Sequence, residues 1–120
     1  MYDTPMAAVT AHMAAINAKD HAQLAATIAF PFLHTNPDGR KFWAATDADL
    51  ADPARAKFGR SEIQAVDILA SSGDLNVYRL TFQRYDHDDQ PTLHVQGLWA
   101  VQRVDQRGWL VGWRQYLGEA

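Results

Sequence analysis

The sequence predicts an α+β domain in which N-terminal helices cover one face of a curved antiparallel β-sheet. Three observations carry this. Thr4-Pro5 opens a segment in which Met6, Val9, Met13 and Ile16 recur at three- and four-residue steps, the spacing of one helix face. Asn36-Pro37-Asp38-Gly39 is a turn whose glycine supplies positive φ. From Leu75 to Leu117, apolar and polar residues alternate through three runs broken by turn residues, the pattern of antiparallel strands.

Taken in order, Thr4 caps the first helix and Pro5 has no N–H to leave unsatisfied. Ala14 and Ala15 let that helix pack closely. Asn17-Ala18-Lys19-Asp20 interrupts it, and Asp20 caps a second short helix through Leu24 and Ile28. Phe30-Pro31-Phe32-Leu33-His34 is extended, and a strand that begins with proline is expected at a sheet edge. Arg40 to Trp43 is its return partner. A third short helix opens at Thr46, Asp47 or Asp49, ends near Phe58-Gly59 and is broken at Pro53. Glu62 to Leu69 reads as a strand with Ile63, Ala65, Asp67 and Leu69 on one side, and Ser71-Ser72-Gly73-Asp74 is its turn.

Asp88-Asp89 as a two-residue loop pairs Tyr85 with Thr92, Gln83 with His94 and Arg79 with Leu98. The Asp105 to Gly108 connection pairs Val104 with Trp109, Gln102 with Val111, Ala100 with Trp113 and Leu98 with Gln115. One face then carries Arg79, Thr81, Gln83, His94, Gln96, Gln102 and Gln115 beside Leu98, Trp109, Val111 and Trp113. That mixture of polar groups and aromatics is read as the wall of a ligand pocket. Tyr78, Leu80, Phe82, Arg84, Val95, Trp99, Val101, Arg114 and Tyr116 collect on the opposite face, with Arg114 across from Trp99 in cation-π position. Its tryptophan, tyrosine and arginine content is that of a protein interface, so a homodimer through this face is expected. The alternative is that these aromatics pack under the third helix or the chain ends.

A chain of 120 residues, 48% hydrophobic, fits one domain spanning residues 1–120. Without cysteine there are no disulfides or thiolate zinc sites, which points to a reducing compartment and makes the cytoplasm the default. Neither a signal peptide nor an apolar run long enough to cross a bilayer is read. A net charge of -3 with dispersed Lys and Arg argues against nucleic acid as a partner. The histidines have no metal-binding helix spacing, Asp86-His87-Asp88-Asp89 fits a solvated hairpin tip, and Gly59-Arg60-Ser61 is too short for a phosphate loop. No metal and no cofactor is therefore expected.

The helix ending Ala14-Ala15-Ile16-Asn17-Ala18-Lys19-Asp20, the Asn36-Pro37-Asp38-Gly39 turn and the closing Gly108-Trp109 hairpin together resemble the nuclear transport factor 2-like (NTF2-like) superfamily over nearly the whole chain. The first two segments are similar to its ketosteroid isomerases and SnoaL-like cyclases. The resemblance implies a cone-shaped domain whose helices and sheet enclose a ligand cavity. Those isomerases use a tyrosine on the first helix, an aspartate before the proline turn and an acid on a late strand. Here His12, Asn36 and Ala100 fall at those positions, so the isomerase acids are missing. The same matching turns Ala100 and Trp113 toward the cavity.

Candidate chemistry therefore falls to His12 and His34 as proton carriers. His12 otherwise reads as a partly exposed histidine on a helix shoulder, and His34 as one bonded to a neighbouring turn. Asn36, Arg79, His94, Gln96, Leu98, Trp113 and Gln115 are the candidate ligand-binding residues. A guanidinium under a helical layer needs an anion, so Arg79 marks either an anionic ligand or an ion pair with Asp67. Two functions follow. One is an isomerase, dehydratase or cyclase acting on an apolar or carboxylated metabolite by histidine-mediated proton transfer. The other is a ligand-binding or dimerisation module without chemistry.

Overall fold

Helix α1, Pro5–Asn17, starts where the sequence places it: the Thr4 hydroxyl accepts from the Ala7 N–H at 3.1 Å. The computed structural model describes residues 1–119. Lys19, in the left-handed region at φ 57°, redirects the chain into α2, His21–Ala26, which Asp20 caps through the Gln23 N–H. Asn17 fixes the end of α1 by a two-way bond with the backbone of Ser61, its amide donating to the carbonyl and its oxygen accepting from the N–H, both at 2.8 Å. Helix α2 stops short of Ile28, which instead begins a strand.

Six strands follow: β1, Ile28–Thr35; β2, Lys41–Ala44; β3, Arg60–Ser71; β4, Leu75–Tyr85; β5, Pro91–Val104; and β6, Gly108–Glu119. The sheet order is β2-β1-β6-β5-β4-β3, with neighbours antiparallel except β1 and β6, which run parallel. Pro31 thus lies inside the sheet, contrary to the edge expected. Its missing N–H falls in the stretch between Ile28 and Leu33 where the β1–β6 register shifts, so no ladder bond is lost. In place of a broken third helix there are two isolated 3-10 turns, Asp47–Asp49 and Pro53–Arg55.

The β4–β5 pairing follows the expected register at Arg79 with Leu98 and Gln83 with His94, and β5–β6 at Leu98 with Gln115 and Ala100 with Trp113. Beyond these points bulges intervene. The extra residue Gly112 puts Val101 opposite Val111, and the β4–β5 loop is longer than two residues, so Tyr85 meets Pro91. Bulges in β3 likewise separate Ile63, which faces Phe82, from Ala65 and Asp67, which face Thr81 and Arg79.

The face turned toward the helices is the reverse of the one expected. Tyr78, Leu80, Phe82, Val95, Trp99 and Val101 are buried, and with Val9, Met13 and Ile16 of α1 they form the core. Burying each large apolar side chain contributes roughly 1.5–3 kcal/mol, so a face with Trp99 and Leu80 at 0% exposure outweighs one rich in glutamine. Arg79, His94, Gln96, Leu98, Trp113 and Gln115 lie on the outer face. Tyr78, Phe82, Trp99, Arg114 and Tyr116, assigned to a homodimer surface, lie beneath the helices. Trp99→Ala should lower the unfolding free energy by about 3–5 kcal/mol in chemical denaturation. Trp113→Ala, at a partly buried position on the other face, should cost clearly less; the reverse ranking would contradict the face assignment.

Candidate functional site

Between the helices, the open end of the sheet and the segment 49–58 lies a cavity of about 830 Å³. Its walls are mostly apolar: Met13, Ile16, Leu24, Ile28, Phe32, Phe42, Phe58, Phe82, Leu93 and Val95. Phe58 is held in place from two sides. Lys19 donates to its carbonyl at 2.8 Å and sits 4.3 Å from its ring centroid, while the Arg84 guanidinium lies 4.4 Å from the same ring. The acidic rim residues Asp49 and Asp52 are exposed and accept bonds from the backbone N–H groups of Ala45 and Thr46, and of Ala54.

Polar groups reach the cavity mainly around Tyr116, whose ring packs on Gly97; a Cβ there would stand 2.9 Å from it. The guanidinium carbons of Arg84 and Arg114 lie 5.6 and 5.8 Å from the Tyr116 centroid, and the His34 ring meets it edge-on at 4.5 Å. Arg114 also stands 5.0 Å from Phe32 and 6.0 Å from Trp99. Neither Arg84 nor Arg114 has an acidic partner among the described residues, and the Nε of each is buried without a hydrogen bond. Burial, foremost, draws Arg114 below the ordinary guanidinium value; Tyr116 opposes this and the charge of Arg84 adds to it. An arginine remains protonated under such a shift, so Arg114 keeps its positive charge.

His12 is fully buried under α1, 4.9 Å edge-on from Trp99. Its Nδ1 lies 2.7 Å from the Thr27 hydroxyl, and its Nε2 lies 3.0 Å from Arg114 Nη1. Arginine can only donate, so Nε2 is the acceptor and the ring is neutral with its proton on Nδ1. Both nitrogens are thereby engaged, and His12 has no lone pair for a substrate. It does not carry the proton-transfer role expected of it. Burial, the Arg114 charge and His34 hold it well below the usual histidine range.

His34 and Asn36 do border the cavity. His34 Nε2 donates to Asn36 Oδ1 at 2.9 Å, while Nδ1 is buried and unpartnered. The other candidates do not join them. Arg79 is paired with Asp67 at 3.2 Å on the outer face, His94 is exposed, and Gln96, Leu98, Trp113 and Gln115 look away from the cavity. The residues missed were Arg84 and Arg114. Their signal was present in the sequence, since both share strand parity with the most apolar stripe, Leu80, Phe82, Val95 and Trp99. Among the described residues no group of three His, Cys, Asp or Glu side chains could hold a metal ion, and no helix is long and apolar enough to cross a membrane.

Burial first, then the Arg114 charge, lower His34 to about 4; the Asn36 bond opposes this and Arg84 adds to it. Between about 6.5 and about 4 the unfolded chain binds a proton that the native ring refuses. The stability is thus complete above this window and falls as pH falls through it, by on the order of 3 kcal/mol at most from His34. Urea unfolding at successive pH values should show this decline, and His34→Phe should flatten part of it; an unchanged slope would contradict the burial of a neutral imidazole.

No family model and no curated protein matches the chain. Solved structures do. A Thiobacillus denitrificans protein assigned as a calcium/calmodulin-dependent protein kinase type II association domain superposes with a TM-score of 0.80 at 17% identity, over 97% of this chain and 95% of that one. An NTF2-like superfamily protein of Salmonella enterica gives 0.71 at 13% identity over 94% and 87%. A ketosteroid isomerase-like protein of Erwinia carotovora atroseptica gives 0.70 at 17% identity over 93% and 91%. With helices packed on a six-stranded, curved and unclosed sheet, this chain has the NTF2-like fold.

Proposed function

We propose that the protein binds a small, largely apolar organic acid in this cavity, its carboxylate meeting Arg114 and Arg84 and its body resting on Phe32, Phe42, Phe58 and Leu93. The observation that carries the reading is a pair of cavity-lining arginines with buried, unpartnered Nε groups and, among the described residues, no acid paired to either. An uncompensated guanidinium in an apolar enclosure is costly, and a bound carboxylate supplies the missing acceptor with matching planar geometry. The apolar walls supply the remaining affinity by burial.

A second reading, favoured by the unpartnered Nδ1 of His34, is an isomerase, dehydratase or cyclase in which His34 takes a proton while Arg114 stabilises the developing charge. A base whose conjugate acid titrates at about 4 is weak at neutral pH, which favours binding over catalysis. His12, with both nitrogens engaged, has no part in it.

Calorimetric titration with benzoate, phenylacetate and hexanoate against their amides tests the binding reading. The acids should bind at least about tenfold more tightly, equivalent to roughly 1.4 kcal/mol. Arg114→Gln should erase that preference while Arg79→Gln leaves it. Equal affinity for acid and amide, or a preference that survives Arg114→Gln, would contradict the proposal.

A further inference from the structure

Arg114 reaches the cavity with one guanidinium nitrogen already bound inside the protein, and its partner is an imidazole rather than a carboxylate. An imidazole can serve only if its Nε2 carries no proton. What fixes that proton lies on the other side of the ring. Thr27, 1% exposed at the end of α2, donates its single hydroxyl hydrogen to the Leu24 carbonyl at 2.7 Å. Its oxygen is then left as an acceptor for His12 Nδ1–H at 2.7 Å. The chain of donors has one direction: Arg114 to His12, His12 to Thr27, Thr27 to the Leu24 carbonyl. It begins on β6, crosses α1 and ends on α2.

We infer that His12 and Thr27 are positioning residues of the anion pocket: Thr27 selects the Nδ1–H form of His12, whose free Nε2 holds Arg114 by one nitrogen and leaves the rest of its guanidinium for a ligand. The inference rests on the anion reading above and adds to it two residues that bear no charge and take no part in the ligand contacts proposed there. An acid at position 12 would give Arg114 a full countercharge and compete with a bound carboxylate. Neutral imidazole orients the cation without neutralising it.

The test has one readout without ligand and one with it. Nitrogen-15 NMR of the ligand-free protein at pH 7 should find His12 protonated on Nδ1 and unprotonated on Nε2. Thr27→Val, nearly isosteric, should reduce the phenylacetate over phenylacetamide preference at least fivefold with amide affinity unchanged. His12→Gln, which keeps an acceptor for Arg114, should retain more of that preference than His12→Phe. A His12 protonated on Nε2, or a full preference in folded Thr27→Val, overturns the inference and leaves the anion reading in place. If instead Arg114→Gln keeps the preference, the anion reading falls and the positioning role with it, while the NMR result still reports the tautomer.

Discussion

The constraint on which the rest of the site depends is the burial of Arg114 without an acidic partner among the described residues. A guanidinium stays charged in any protein interior, so its surroundings must supply acceptors or polarisable faces. Here they supply one imidazole nitrogen and the rings of Phe32, Trp99 and Tyr116. That arrangement keeps the cation in place without cancelling it. Arg84, stacked against Phe58 and near Tyr116, repeats the same solution a short distance away. The outcome is a mostly apolar cavity whose end at Tyr116 is positive, while Asp49, Asp52 and Glu119 line it elsewhere.

The same residues tie local structure to the site. Thr27 ends α2, and its backbone carbonyl accepts from the Val111 N–H of β6 at 2.8 Å, so the α2 terminus is registered on the strand that carries Arg114. His12 faces the sheet because α1 turns Ala8, Val9, Met13 and Ile16 to the same side. The polar chain is therefore anchored on the same face of α1 that packs the core.

Much of the architecture was legible before any coordinates. Thr4-Pro5, Asp20 and the Asn36–Gly39 turn are local signals, and each marks the element it should. The central strand register also matches the reading, although beside both turns the pairing is one residue off and bulges between Gln83 and Tyr85 and at Gly112 restore it. What failed was the choice between two faces that parity alone leaves equal. Glutamines, histidine and Arg79 resembled a functional lining, and Trp99 beside Arg114 resembled an interface, yet burial energy favours enclosing Trp99, Phe82 and Leu80. Bulges at Gly112 and within β3 leave no alternation to read, so parity broke down there as well. For His12, residue type suggested proton transfer, while the structure engages both ring nitrogens inside the protein. Its hydrogen-bond partners, Thr27 and Arg114, lie 15 and 102 positions away, which no local pattern encodes.

The most direct measurement is a crystal structure with 4-bromobenzoate, the bromine located by its anomalous signal. The account predicts the bromine among the cavity phenylalanines and the carboxylate within about 3.2 Å of Arg114 nitrogens. A carboxylate bound instead at Arg79 on the outer face, with the cavity arginines untouched, would contradict it.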